Sequence, residues 1–228
     1  DWARTPFWSP GSDEVGFVVN SEMRKVSAAT GAGLTLFKAQ AGYLGTATWR
    51  LDGTIIQNQL VRGQPVLTSV SAQGGQPSVI MEPDSSRGEQ GFGYPHVLPD
   101  GRSLVFVVWR TDRTYQLVVQ FGDSLRILVG TNPGEPIDYP VYATSGHLVY
   151  QRGSSGDTNI WALPFDAGSL KATGEPFIAA QEASNPSVSV DGTLVYRTGA
   201  SVGEGQLVWV DREGQVTGAI GQPLGGVG

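Results

Sequence analysis

Residues 95–108 read PHVLPDGRSLVFVV. The segment begins as a short extended run, turns at Asp100-Gly101 and continues as an apolar run rich in β-branched residues. Because Asp can hydrogen-bond the backbone that follows it and Gly accepts a positive φ, the pair predicts a tight turn between two antiparallel strands. No polar residue interrupts 104–108, which indicates that both faces of the second strand are covered.

The same phrase occurs at four other places in the chain. It reads FWSPGSDEVGFVV at 7–19, TWRLDGTII at 48–56, PVYATSGHLVY at 140–150 and PSVSVDGTLVY at 186–196. Successive turns lie 40 to 48 residues apart, a period typical of the four-stranded blades of a β-propeller. The sequence therefore predicts one all-β propeller domain of about five four-stranded antiparallel blades and almost no helix. The expected blades span 5–45, 46–92, 93–137, 138–183 and 184–222, and a further strand begins at 223–228.

The residue just before each repeat turn is expected on the innermost strand of its blade. These residues are Trp8, Trp49, His96, Tyr142 and Val188. The last residues, GQPLGGVG at 221–228, are too short and too rich in Gly to supply a full outer strand. Two alternatives follow, a segment of a longer propeller or a five-blade ring with imperfect closure. In either case we expect self-association through the terminal blades, because an uncovered blade face is an aggregation hazard.

Composition limits the classes of partner. The formal net charge is −6 and no Lys/Arg cluster occurs, so nucleic acid is not an expected partner. Cysteine is absent, which excludes disulfides, thiolate metal sites and cysteine nucleophiles. No apolar run approaches the roughly 18 residues of a membrane span, so this segment is not expected to insert into a membrane.

The repeat turns also carry a family resemblance. WSPGS at 8–12, WRLDG at 49–53, VLPDG at 97–101 and SVDG at 189–192 resemble the blade turns of TolB-like propellers, relatives of the Trp-Asp repeat propellers. The phrase ALPFDAGSLKATGEPFIAA at 162–180 is similar to the propeller region on the extracytoplasmic side of bacterial membrane-anchored Ser/Thr protein kinases. Residues 11–13 and Ser145-Gly146 depart from the Asp-Gly form of the turn.

The resemblance implies a periplasmic or cell-surface location and a sensor part of a larger signalling protein. The Gly-rich loop, the HRD-type loop and the DFG motif of the kinase domain have no counterpart in this sequence, so phosphoryl transfer is not expected. We therefore expect a non-enzymatic binding or sensing module. The alternatives are a propeller glycosidase and a purely structural assembly scaffold.

The sequence contains few of the residues that a catalytic or metal site would need. His96 and His147 are the only two histidines, too few for a metal site. A propeller glycosidase would need carboxylates at one channel mouth, for which Asp13, Asp52 and Asp138 are candidates. Two of these three have a role in turns. The sequence predicts no catalytic residue, no metal and no cofactor.

A ligand site is predicted at the longest connection, EPDSSRGEQGFG at 82–93. Long ordered loops at the end of a propeller are often functional. Arg87 and Glu89, followed by Tyr94 and His96, would place charged and aromatic surface at one channel mouth. The predicted ligand is a protein, a peptide or a small polar molecule.

Five tryptophans are assigned architectural roles. Trp8 and Trp49 occupy matching repeat positions, and Trp161 and Trp209 occupy matching positions on third strands. Trp109, at the end of the apolar run, is expected to pack against the next blade.

Overall fold

A computed structural model describes residues 3–39, 44–154, 156–198, 205–211 and 215–224. Within them the chain is all-β, built from small antiparallel sheets arranged in a ring as in a β-propeller. The helical content of these residues is a single 3₁₀ turn at Ser85–Arg87. No helix in the described part of the chain is long and apolar enough to cross a membrane.

Three repeats form complete four-stranded blades in chain order. Blade 1 comprises β1 (Arg4–Trp8), β2 (Glu14–Val19), β3 (Glu22–Ser27) and β4 (Gly33–Lys38). Blade 2 comprises β5 (Leu44–Trp49), β6 (Thr54–Val61), β7 (Gln64–Ser71) and β8 (Ser78–Met81). Blade 3 comprises β9 (Glu89–Val97), β10 (Leu104–Arg110), β11 (Tyr115–Phe121) and β12 (Ser124–Gly130).

Blade 4 divides its outermost strand into two pieces. Its inner strands are β13 (Ile137–Ala143), β14 (His147–Arg152) and β15 (Asn159–Asp166). The short strands β16 (Lys171–Ala172) and β17 (Phe177–Ala180) then pair with opposite ends of β15. The family-like phrase at 162–180 therefore forms the outer edge of this blade.

The fifth repeat differs from the expected four-stranded blade. β18 (Ala183–Val188) pairs with β19 (Leu194–Thr198), and β20 (Gly205–Val210) pairs with β21 (Val216–Leu224), as two separate sheets. Ala183 is buried against blade 4, whereas Val195 and Trp209 are 50% and 54% exposed. The two hairpins are therefore held together by less apolar packing than the strands of a complete blade. Residues 225–228, in the predicted further strand, lie outside the described residues, and closure and self-association stay predictions.

The first strands of successive sheets lie against one another, which places them around the central axis. Trp8, Trp49, His96, Tyr142 and Val188 all lie on these strands. The repeat register read from the turns therefore places the innermost strands correctly.

Contacts between neighbouring turns define the two faces of the ring. Arg50 Nη2 donates to the carbonyl of Arg102 at 2.7 Å, and Thr144 Oγ1 donates to the carbonyl of Val190 at 3.1 Å. The turns between the first and second strands thus share one face, which we call the lower face. The opposite, upper face carries the turns between the second and third strands and the connections that enter each blade.

The Asp-Gly pairs make the turns that the sequence predicts. Asp52 Oδ1 accepts from the backbone N–H of Thr54 at 2.8 Å, and Asp191 Oδ1 accepts from that of Thr193 at 3.1 Å. Gly53 follows the first of these aspartates with a φ of 82°. The hydrogen bond from the Thr54 backbone also holds the pKa of the Asp52 carboxyl below its usual value.

The apolar run of β10 is covered on both faces, as its pattern predicts. Phe106 packs with Ile56 of blade 2 on one side, and Val105 and Val107 pack with Ile137 of blade 4 on the other. All three β10 side chains are fully buried. Alternate side chains of one strand therefore join blade 3 to both of its neighbours.

Candidate functional site

A β-bulge interrupts each first strand at the same register. Four of the bulges contain a non-glycine residue with positive φ directly before a proline. These residues are Thr5 (48°), Tyr94 (55°), Tyr139 (50°) and Asn185 (54°). Positive φ is uncommon for such residues, and bulges re-aim side chains close to functional sites. The repeated bulge therefore marks one level of the central axis.

The bulge residues link neighbouring blades. Thr5 Oγ1 donates to the carbonyl of Gly45 at 3.3 Å. The rings of Tyr94 and Tyr139 lie 4.7 Å apart between centroids. The backbone N–H of Asn185 donates to Gln151 Oε1 at 2.9 Å. A band of polar and aromatic groups follows the first strands at the level of the bulges.

A cleft of about 700 Å³ opens on the upper face between blades 2, 3 and 4. Its apolar walls come from turn and strand-end residues of the three blades, and its polar groups include two carboxylates. The residues that define it are Pro65, Glu89, Trp109, Tyr115, Pro136 and Asp138. Apolar walls with a few convergent polar groups are typical of ligand sites.

Two glycines of β9 let the cleft wall lie directly on the strand backbone. A Cβ atom at Gly93 would stand 2.6 Å from Cζ2 of Trp109, and one at Gly91 would stand 2.8 Å from Cγ of Pro65. Either approach is closer than nonbonded carbon atoms allow. The alternating glycines of GFG at 91–93 are therefore needed for the positions of both rings.

Asp138, which lines the cleft, accepts two hydrogen bonds from neighbouring side chains. Gln151 Nε2 donates to Asp138 Oδ2 at 3.3 Å, and the Tyr94 hydroxyl donates to the same carboxylate. The Tyr94 ring also contacts Trp109 edge to face, with centroids 6.5 Å apart. Burial raises the pKa of Asp138, and this effect exceeds the lowering effect of the two hydrogen bonds.

Two of the nearby arginines are paired with acidic residues. Arg152 donates to both carboxylate oxygens of Glu135 at 3.0 Å, which lowers the pKa of Glu135, and its guanidinium stacks on Trp161. Arg110 lies 3.8 Å from the carboxylate of Asp112. Since no Lys or Arg is among the residues that line the cleft, its charged groups are carboxylates.

The structure brings together some of the predicted ligand residues. Glu89 lines the cleft and accepts from the backbone N–H of Asp84 at 2.9 Å, while Tyr94 supports Trp109 and Asp138. Arg87 is exposed and pairs with Asp84 at 3.1 Å. The connection is shorter than the predicted 82–93, because β9 already begins at Glu89.

His96 belongs to a different part of the molecule. Its Nε2 accepts from the backbone N–H of Tyr142 at 3.1 Å. One blade earlier, Thr48 Oγ1 accepts from the backbone N–H of Val97 at 3.1 Å in the equivalent arrangement. His96 therefore joins blades 3 and 4 near the lower face. With a rise of about 3.3 Å per residue, it lies roughly 20 Å along β9 from Glu89, so the four predicted residues do not form one cluster.

Replacement of His96 by glutamine is expected to flatten the acid limb of the stability profile. Burial lowers the pKa of His96 from 6.5 to about 4, so the folded protein holds the ring neutral while the unfolded chain protonates it below 6.5. The stabilising contribution is complete above pH 6.5 and is lost as the pH falls toward 4. Urea denaturation of both proteins between pH 7.5 and 4 should show wild type losing roughly 2 kcal/mol of unfolding free energy relative to H96Q. This figure is smaller than the full pKa shift would give, because the His96 side chain is half-buried and solvent screens its charge.

The matched control is H147Q, which changes the other histidine, a residue beside the Ser145 turn. It keeps His96, so it should retain the acid limb of the wild-type profile. Parallel profiles for wild type and H96Q would contradict the inter-blade role of a neutral His96.

The grouping of Trp109, Tyr115 and Asp138 was not predicted from the sequence. Trp109 was expected only to pack; it does pack beside blade 4, but it also lines the cleft. The candidate glycosidase carboxylates are separated, because Asp13 accepts from Ser9 Oγ at 2.7 Å in a lower-face turn. Asp52 lies in the corresponding turn of blade 2. The alternating glycines before Tyr94 were the available signal for the cleft wall.

Among the described residues, no group of three or more His, Asp or Glu side chains is arranged to hold a metal ion.

The chain matches no protein-family profile and no curated protein sequence, but it is similar to solved propellers. TolB from Acinetobacter baumannii superimposes with a TM-score of 0.74 at 18% identity, over 95% of this chain and 53% of that one. A nidogen/laminin complex gives 0.69 at 14%, over 95% and 79%. Regucalcin from Agrobacterium tumefaciens, described as a calcium-binding protein, gives 0.67 at 11%, over 95% and 73%. The chain has a TolB-like β-propeller fold and spans about half the length of that TolB.

Proposed function

We propose that this chain is a non-enzymatic binding module that takes a protein segment, a peptide or a small polar ligand in its upper-face cleft. The observation that carries the proposal is the junction of apolar rings and carboxylates contributed by three blades. Such a site combines contact area with a few orienting polar groups. Gly91 and Gly93 let Pro65 and Trp109 lie directly on the backbone of β9, which supports a preformed cleft. A preformed site loses less conformational entropy when a ligand binds.

A glycosidase is the second candidate, because Glu89 and Asp138 line the same cleft and burial raises the pKa of Asp138. A general acid and a second carboxylate are the groups that such an enzyme needs. Both carboxylates already accept hydrogen bonds from the protein, Glu89 from the Asp84 backbone and Asp138 from Tyr94 and Gln151. Because hydrogen bonds within the protein restrain both carboxylates, the arrangement supports ligand binding more than hydrolysis.

In its wider context, we propose the module as the extracytoplasmic sensor part of a larger signalling protein. Support comes from the phrase at 162–180, which resembles the propeller region of bacterial membrane-anchored Ser/Thr kinases. The phrase builds the divided outer edge of blade 4, remote along the sheet from the cleft residues of β13. A protein partner is compatible with the nidogen-like neighbour, which is described in a complex with laminin.

Alanine at Trp109 should weaken ligand binding by about tenfold or more, since buried aromatic contacts dominate such sites. The test is calorimetric titration of a tripeptide library, followed by the variants W109A and D138N with the tightest member. The control W8A removes a tryptophan that is 59% exposed on blade 1, and it should bind like wild type. Unchanged affinity in both W109A and D138N would place the binding site elsewhere.

A further inference from the structure

We propose that the upper-face cleft selects an organic cation, the ammonium or guanidinium group of a lysine or arginine side chain. The cation would lie between the rings of Trp109 and Tyr115 and the carboxylates of Asp138 and Glu89. The inference rests on the proposed binding function and specifies the chemical class of its ligand.

The charged residues that line the cleft favour a cationic ligand. Glu89 and Asp138 both line the cleft, together with neutral residues and without Lys or Arg. Arg152 is bound by Glu135 in a bidentate pair, and it lies on the opposite face of β14 from Gln151, the partner of Asp138. An anionic ligand would meet two carboxylates here, whereas a cation would meet complementary charge.

The aromatic rings that line the cleft also favour a cation. Trp109 and Tyr115 line the cleft, and Tyr94 supports Trp109 from behind. A cation within about 6 Å of such a ring is attracted by the negative face of its π-system. Elsewhere the protein places its own cations in this way, with Lys25 5.6 Å from Trp49 and Arg152 5.0 Å from Trp161.

The environment of Asp138 further favours a positively charged ligand. Its carboxylate is held in position by Tyr94 and Gln151, and burial disfavours its charged form. Neither hydrogen-bond donor is charged. A ligand cation would offset the desolvation of this carboxylate, which gives the site a direct energetic reason to prefer a positive group.

The ligand class is tested by isothermal calorimetry with four small probes of similar size. The cationic probes are the N-acetyl methylamides of lysine and arginine, and the norleucine and glutamate derivatives are the neutral and anionic controls. We expect saturable binding of the cationic probes, at least about tenfold tighter than binding of either control, and weakening as salt is raised. Equal or tighter binding of the norleucine or glutamate probe would overturn the proposal.

Variants separate the cation preference from binding in general. D138N is nearly isosteric, so it should reduce lysine-probe affinity about tenfold and bring it close to the affinity of the norleucine probe. D123N, an exposed carboxylate at the hairpin between β11 and β12, is the matched control. Near-UV circular dichroism confirms that each variant is folded. If the tripeptide library binds without preference for charge, the cation proposal fails while the binding function stands; if neither library nor probes bind, both fail.

Discussion

Replacement of Phe106 by alanine should lower the free energy of unfolding by about 3–5 kcal/mol. The ring is fully buried in β10 and packs edge to face against Phe92, with centroids 5.4 Å apart. Ile56 and Leu67 of blade 2 belong to the same cluster. The truncation would therefore open a cavity at the interface between blades 2 and 3, where surrounding side chains are fixed by both sheets.

Urea denaturation followed by far-UV circular dichroism measures this loss. The matched control is Phe177→Ala, because Phe177 lies on an outer strand of blade 4 and is 48% exposed. That variant should lose less than about 1 kcal/mol. Equal losses in the two variants would contradict the assignment of β10 as the strand that joins blades 2 and 3.

The repeat and its register could be predicted because their causes are local. Each Asp-Gly turn is made by hydrogen bonds within three residues of the aspartate. The uninterrupted apolar run of β10 likewise reports burial on both faces. The predicted match between Trp8 and Trp49, however, is wrong by one residue. The bulge register aligns Trp8 with Thr48, so the two indoles lie on opposite faces of their strands. Trp49 is covered by Phe7 of blade 1, whereas Trp8 is 59% exposed.

The fifth repeat shows the limit of a turn-based reading. Its Asp191-Gly192 turn forms as predicted, yet β18–β19 and β20–β21 remain separate sheets. A turn specifies a hairpin, while joining two hairpins into one blade also requires apolar packing on the faces. Val195 and Trp209 are largely exposed, so that contribution is weak in this repeat.

The site was only partly predictable, because it depends on contacts between blades. Glu89 and Tyr94 were found from the composition of one connection. Pro65 and Asp138 complete the same cleft from turns far away in the sequence. His96 was misplaced for the same reason, since its hydrogen-bond donor is the backbone of Tyr142 in the next blade. The positive φ of Tyr94 also opposes its intrinsic preference, so it follows from propeller geometry rather than from local propensity.

A single methyl group at Gly93 should disturb both the fold and the cleft. In Gly93→Ala the new Cβ would lie 2.6 Å from Cζ2 and 3.2 Å from Cε2 of Trp109, so the indole must leave the strand backbone. We expect a loss of about 1–3 kcal/mol in unfolding free energy, because overpacking forces side chains out of their preferred rotamers. We also expect at least about tenfold weaker binding of the lysine probe, because the displaced ring no longer forms the wall of the cleft.

A double-mutant cycle assigns this effect to the indole. Gly130→Ala is the control for glycine replacement in a strand, since a Cβ there meets nothing within 4 Å, and it should change stability by less than about 0.5 kcal/mol. In the Trp109→Ala background the clash is removed, so Gly93→Ala should cost far less than in wild type. An equal cost in both backgrounds would mean that Gly93 is required by the backbone of β9 and that Trp109 is not held against it. Strong coupling would instead establish that glycine at 93 positions the aromatic wall on which ligand binding depends.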